Sequence, residues 1–178
     1  MSGARGLGTF ISPAVLVREV AMDWELAACH ALRREVFCGE QGIFPLTDRD
    51  AIDDVATVLA AVSTVAGMDD DIVGTVRLHE QRPRVWVGSR LAVGRAHRHG
   101  GGIGTTLIRL AVCLAHARGA RRFMAHVQSR NAAFFHALNW QTIAEEELHG
   151  HPHHLMEADL ACYPAAGARA LHVLRTAA

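Results

Sequence analysis

The amino-acid sequence predicts a mixed α/β fold, one sheet with helices packed against it, in an order that is not a regular βαβ repeat. Two patterns carry this expectation. Apolar runs of strand length, bounded by turn residues, recur along the chain, and two neighbouring pairs of them read as hairpins. Between them lie segments whose apolar residues return at three- and four-residue spacing, the period of a half-buried helix. A length of 178 residues without a Pro/Gly/Ser-rich linker fits a single domain with a sizeable core.

The elements follow in order. Residues 1–13 read as a mobile N-terminal segment, 14–161 as the domain and 162–178 as a C-terminal tail. "AVLVREV" (14–20) is a strand. "DWELAACHALRREVF" (23–37) is a helix whose Trp24, Ala27, Ala28, Ala31 and Leu32 form an inward stripe, with Asp23 placed as its cap. "VATVLAAVS" (55–63) and "DIVGTVRLH" (71–79) flank the acidic turn "GMDDD" as an antiparallel hairpin, and "VWVGSRLAV" (85–93) follows as a strand. Ile103, Leu107, Leu110, Ala111 and Leu114 then mark a helix that stops at Gly119. "RFMAHVQ" (122–128) is a strand and "NAAFFHAL" (131–138) a short helix. "WQTIAEEEL" (140–148) and "HLMEADLA" (154–161) form a last hairpin around "HGHPH".

Composition excludes several functions. Lysine plus arginine equals aspartate plus glutamate at 18 each, so the chain has no bulk basic field for nucleic acid. No apolar run approaches the ~20 residues of a membrane helix, and no signal-peptide core follows Met1; a cytoplasmic protein is expected. Cys29, Cys38, Cys113 and Cys162 form no Cys-x-x-Cys pair, which points to reduced thiols.

The chemistry concentrates in "HRHGGGIGTTL" (97–107), where three glycines precede the best helix in the chain. A strand ending at Val93, a glycine loop and a helix N-terminus bring free backbone N–H groups and a positive dipole end together, an anion site suited to phosphate. No lysine stands near for a P-loop, and "GGGIG" lacks the spacing of the dinucleotide fingerprint.

The loop resembles the coenzyme A pyrophosphate loop of the GNAT (Gcn5-related) N-acetyltransferases, Arg/Gln-x-x-Gly-x-Gly/Ala. His99 takes the first position if Gly102 and Gly104 serve; Arg98 takes it, in a loop one residue longer, if Gly101 and Gly104 serve. "NAAFFHALNW" (131–140) is similar to the family's downstream Asn-containing signature, while "LRREVFCGEQGI" (32–43) and "GHPHHLM" (150–156) resemble segments of its ElaA-like branch. The chain is also similar to a bacterial subfamily labelled nitrogen-starvation N-acetyltransferases.

The resemblance implies the GNAT fold, a mixed, mostly antiparallel twisted sheet flanked by helices, and transfer of acetyl from acetyl-CoA to the primary amine of a small molecule. It implies coenzyme contacts from backbone groups of Leu91, Ala92 and Val93, from the loop Arg98, His99, Gly100, Gly101, Gly102, Ile103, Gly104 and Thr105, and from Asn131 and Phe135. Phe135 departs from the family, in which many members carry a tyrosine acid there. For the base, the candidates are Glu40, then His126, then His153; each also reads as an ordinary structural residue. Arg33, Arg77 and Arg90 are candidates for binding an acidic group of the acceptor, or are plain sheet-edge charges. Despite its histidines, "HGHPHH" has no ligand spacing that zinc recognises, and no metal is expected. A homodimer fits the family. Two other readings stand beside this one: a noncatalytic acetyl-CoA-binding module docking to a partner, motivated by Phe135 and by Leu171 and Leu174 of the tail, and an acyl-homoserine-lactone-synthase-like acyltransferase.

Overall fold

Alternation along the central strands decides which helix packs where. In the computed structural model, which describes residues 14–99, 102–165 and 171–174 (the last group by backbone alone), β2 (Thr57–Val65) sends Leu59 and Ala61 to one face and Val58, Ala60 and Val62 to the other. The first face, with Val15 and Val17 of β1 (Ala14–Glu19), is covered by α2 (Ile103–Ala117) through Ile103, Leu107, Ile108, Leu110 and Ala111. The second is covered by α1 (Asp23–Arg34) through Cys29 and Leu32, continued by Val36 and Phe37. Both helices cross β3 (Met68–Arg82). At Gly74 of β3 a Cβ would stand 2.9 Å from Ile103 Cγ2 and 3.0 Å from Leu107 Cδ1, so the missing side chain lets α2 lie directly on the sheet.

The remaining strands are β4 (Val85–Val93), β5 (Arg122–Gln128), β6 (Trp140–Leu148), β7 (His151–Ala158) and β8 (Leu171–Leu174), with the short α3 (Ala132–His136) before β6. They form one sheet in the order β6-β7-β5-β4-β3-β2-β1-β8, and every neighbouring pair whose direction is assigned is antiparallel except β4–β5.

Several boundaries differ from the sequence expectation. Helix α1 ends at Arg34 and continues as a wider π-helical turn, Glu35–Glu40. Met22 is its N-cap, and the capping is done from inside the helix, by the Glu25 carboxylate accepting the N–H groups of Ala21 at 2.7 Å and Met22 at 3.0 Å. Its inward face carries Glu25 and Arg33, while Trp24 is exposed. The turn between β2 and β3 is Ala66–Gly67, so the acidic residues expected in it belong to β3. Strand β7 begins at His151, with His149 and Gly150 alone making the turn. Part of the expected C-terminal tail is not a tail: residues 171–174 pair antiparallel with Ala14–Val17 of β1. Tyr163 is buried, accepting a hydrogen bond from Trp140 Nε1 at 3.1 Å and donating its own to the Leu138 carbonyl.

Candidate active site

The site is built where β4 and β5 part. Their parallel pairing runs from Val85 opposite Arg122 to Gly88 opposite Ala125 and stops. At Gly88 a Cβ would meet the Phe123 ring at 3.0 Å, so glycine holds the two strands close at the point of divergence. Beyond it β4 bends away through a bulge: Ser89 faces Arg77 and Ala92 faces Thr75, leaving Arg90 and Leu91 opposite Val76 alone. Arg90 takes the left-handed conformation, φ 57°, to make that bend.

The bulge leaves the end of β4 with an unpaired edge. Gly94 N–H donates to Val73 O at 2.9 Å, and Val93, one residue earlier and opposite Gly74, therefore turns its N–H and C=O away from β3 into the gap. The Val93 carbonyl accepts from Arg98 Nε at 2.9 Å.

Helix α2 starts at the mouth of this gap. Gly102, at φ 60°, is its N-cap, and the Gly102 carbonyl accepts both N–H and Oγ1–H of Thr106 at 2.9 Å. The N–H groups of Ile103, Gly104 and Thr105 have no acceptor within the helix and stand at its positive end. A Cβ on Gly104 would lie 3.9 Å from both Phe134 Cζ and Val93 Cγ2, which places the first turn of α2 beside the end of β4. The Ile103 side chain is core, so only its backbone is available there. Gly100 and Gly101 lie outside the described residues. This arrangement fits a diphosphate: N–H donors with no acceptor within the helix and a dipole of the right sign.

On the sheet side of the gap a cleft of about 550 Å³ opens, walled by Phe37, Phe44, Leu91, Val127, Asn131 and Phe135 among others. His126 of β5 and His153 of β7 both line it. His126 Nδ1 is held by the carboxylate of Glu146 on β6, reaching over the intervening β7. His153 is buried, its Nδ1 2.8 Å from the His151 carbonyl. Glu40 is not in the cleft wall; at the end of the π-helical turn it forms a bidentate pair with Arg98, at 2.9 and 2.8 Å. Its neighbour Gln41 accepts from Gln128 Nε2 at 3.0 Å, tying the turn to the end of β5.

The three candidate acceptor arginines meet aspartates. Arg33 and Arg77 are each 1% exposed. Arg33 Nε donates to Asp48 at 2.7 Å and Nη1 to Asp53 at 2.6 Å. Arg77 donates to Asp50 at 2.7 and 2.9 Å, pairs with Asp53 at 2.9 Å and binds Ser89 Oγ at 2.9 Å. Arg90 reaches Asp48 at 3.1 Å and Asp50 at 3.2 Å and lies over the Phe44 ring, 4.7 Å from its centre. Burial alone would raise the Asp53 carboxyl, but hydrogen bonds from Arg33, the Asp50 backbone and Arg77 outweigh it and hold the group far below the usual carboxylate range. Hydrogen bonding by Arg77 likewise lowers Asp50. The loop "TDRDAIDD" is thus an internal counter-charge to these arginines.

Sequence reasoning passed over four of these participants. Glu146 is one of three consecutive glutamates, and only the pairing of β6 with β7 reveals which of them turns toward His126. Gln41 stands within "LRREVFCGEQGI" but has no role assigned there, and Gln128 carries no motif. His79 lines the cleft beside Arg77, and burial, with the nearby Arg77 charge, lowers its pKa and keeps the ring neutral. Among the described residues no group of three His, Cys, Asp or Glu side chains is arranged to hold a metal ion, and no helix is long and apolar enough to cross a membrane.

Two splayed parallel strands, a β4 bulge and a glycine-capped helix N-terminus at their mouth are the arrangement of an acetyltransferase fold. Accordingly, the chain belongs to the acetyltransferase (GNAT) family, whose model matches residues 26–140. Its enzymes transfer acyl groups from acyl-CoA to amines of small molecules or peptides. Similar solved structures include a candidate N-acetyltransferase from Lactobacillus plantarum, 25% identical, TM-score 0.72, covering 81% of this chain and 97% of that one. Escherichia coli ElaA is 20% identical with TM-score 0.65, covering 82% and 98%. N-acetylglutamate synthase from Neisseria gonorrhoeae, solved with coenzyme A and N-acetyl-glutamate, is 20% identical with TM-score 0.62, covering 81% of this chain and 34% of that longer one. Comparison with functionally curated proteins returns no match.

Proposed function

We propose that the protein transfers acetyl from acetyl-CoA directly to the primary amine of a small molecule. The observation that carries this reading is the unpaired β4 edge at Val93 lying against the N-terminus of α2, with a cleft on the same strand lined by Leu91, Asn131 and Phe135. Backbone N–H groups of Ile103, Gly104 and Thr105 receive the diphosphate, with Arg98 and His99 of the same loop beside them, and the Leu91–Val93 edge pairs with the amide-bearing arm. Asn131 and Phe135 line the remainder of the path.

When bound, acetyl-CoA supplies an activated acetyl thioester and a thiolate that leaves without a strong acid. The chain must then deliver a neutral amine. His126 is the base best supported by geometry: it lines the cleft, and a carboxylate on Nδ1 fixes the tautomer that leaves a lone pair on Nε2. His153 stands deeper in the same wall. Glu40, the first choice on sequence, has its carboxylate committed to Arg98. An N–H of the β4 edge donates to the thioester oxygen as charge develops there. Phe135, packed edge-on against Trp140 at 5.1 Å, has no proton to give. The charges of Arg33 and Arg77 are met inside the protein, which supports an acceptor recognised through its amine and apolar body rather than through a carboxylate.

The test is calorimetric titration with acetyl-CoA, on the wild type and on Gly102→Glu/Gly104→Glu, followed by an amine screen that reads released coenzyme A. One-to-one binding lost in the variant, with amine-dependent release, is the expected result. Binding without release for any amine favours the noncatalytic coenzyme-binding reading that Phe135 suggests.

A further inference from the structure

We infer that Glu40 competes with the coenzyme for Arg98 and so sets the affinity of the coenzyme site. This inference rests on the coenzyme reading above. Arg98 stands in the loop that leads to α2, and its guanidinium turns its end-on fork to the protein: Nε donates to the Val93 carbonyl at 2.9 Å, while Nη2 and Nη1 meet the two Glu40 oxygens at 2.9 and 2.8 Å. The two partners lie on either side of the loop residue that links them. The Val93 carbonyl is on the free β4 edge, and Glu40 ends the π-helical turn that faces it.

Two consequences follow from elementary electrostatics. A diphosphate arriving at the α2 N-terminus is an excellent partner for an arginine fork, but Arg98 can offer its paired N–H groups only by releasing Glu40. The released Glu40 carboxylate carries the same sign as the phosphates and turns away from them into solvent. The pair is partly exposed, its side chains at 35% and 25%, so the exchange opens no buried charge and proceeds without unfolding the turn. Glu40 is therefore a positioning residue acting through Arg98. Gln41, the next residue, accepts from Gln128 at 3.0 Å and anchors the same turn to the wall of the cleft, so the Glu40 side chain moves on a fixed backbone.

The test is calorimetric titration of coenzyme A into wild type, Glu40→Gln, Arg98→Ala and the double variant, with a thermal melt of each to confirm folding. Glu40→Gln is expected to bind about fivefold more tightly than wild type, a gain that structural damage does not produce. Arg98→Ala is expected to bind about tenfold more weakly, and adding Glu40→Gln to it to change affinity by less than about threefold, because the competitor has lost its object. Wild-type binding that Glu40→Gln leaves unchanged or weakens overturns this inference and leaves the coenzyme site standing. Absence of coenzyme binding in all four proteins overturns both.

Discussion

Arg77 and Asp50 face each other fork to fork, Nη1 to Oδ1 at 2.7 Å and Nη2 to Oδ2 at 2.9 Å, with Asp53 2.9 Å from the same Nη1. Removing the arginine leaves Asp53, nearly inaccessible, with one cation fewer. Arg77→Ala is expected to lower the unfolding free energy by about 3–5 kcal/mol in urea denaturation, the range for breaking a buried pair from one side. Arg90→Ala, from a side chain 18% exposed, is expected to cost about 1 kcal/mol.

Stability is expected to depend on pH with a definite sign. Asp50 and Asp53 titrate lower in the folded chain than in the unfolded one. Their contribution is fully present above the unfolded value near ~4 and is lost as pH falls through the folded values. Urea midpoints measured between pH 5 and 2 fall steeply in the wild type. In Asp53→Asn the midpoint starts lower and falls less over the same window.

Gly74→Val places a branched side chain where a single Cβ already approaches Ile103 Cγ2 at 2.9 Å. Overpacking of this kind costs about 1–3 kcal/mol. Because the displaced helix is the one whose N–H groups are proposed to receive the diphosphate, coenzyme affinity is expected to fall with stability. A variant that melts early yet binds coenzyme normally would separate the two effects and refute the coupling.

For catalysis, His126→Asn is expected to reduce kcat/KM by about 100-fold or more for the best amine found, and Glu146→Gln by less, since the ring remains but loses its orienting carboxylate. Coenzyme affinity stays at the wild-type value in both. Steady-state kinetics paired with coenzyme titration reads both quantities.

Tyr163→Phe removes a hydroxyl that donates to Leu138 and accepts from Trp140. The expected cost is about 1–3 kcal/mol of stability with kcat unchanged. A large loss of kcat in a protein that melts normally would instead give this tyrosine a part in the chemistry.

What could be read in the sequence was whatever local periodicity encodes. The stripe Ile103, Leu107, Leu110, Ala111 and Leu114 is buried throughout, and β4, β5 and β6 begin and end where their apolar runs do. Helix α1 was misread on its faces because Glu25 and Arg33, charged residues, point inward and are satisfied there, while Trp24 points out. A π-helical turn uses the same residue types as an α-helix, so the turn at Glu35–Glu40, and with it the direction of Glu40, left no trace. Likewise the arginine–aspartate network joins residues 15 to 42 positions apart, Arg33 to Asp48 and Arg90 to Asp48 at the extremes, where no local pattern operates. Histidine and proline at 151–153 read as a turn because strand pairing, not propensity, sets the start of β7.

Strand β8 has a practical consequence. It covers the outer edge of β1 along Ala14–Val17, the edge opposite the one bounded by β6. A chain cut before residue 171, or fused there to a bulky partner that pulls the segment away, would present β1 as a bare template for strands from other molecules. Such a preparation is expected to self-associate more readily than one that keeps β8, so the placement of a purification tag bears directly on whether monodisperse protein is obtained.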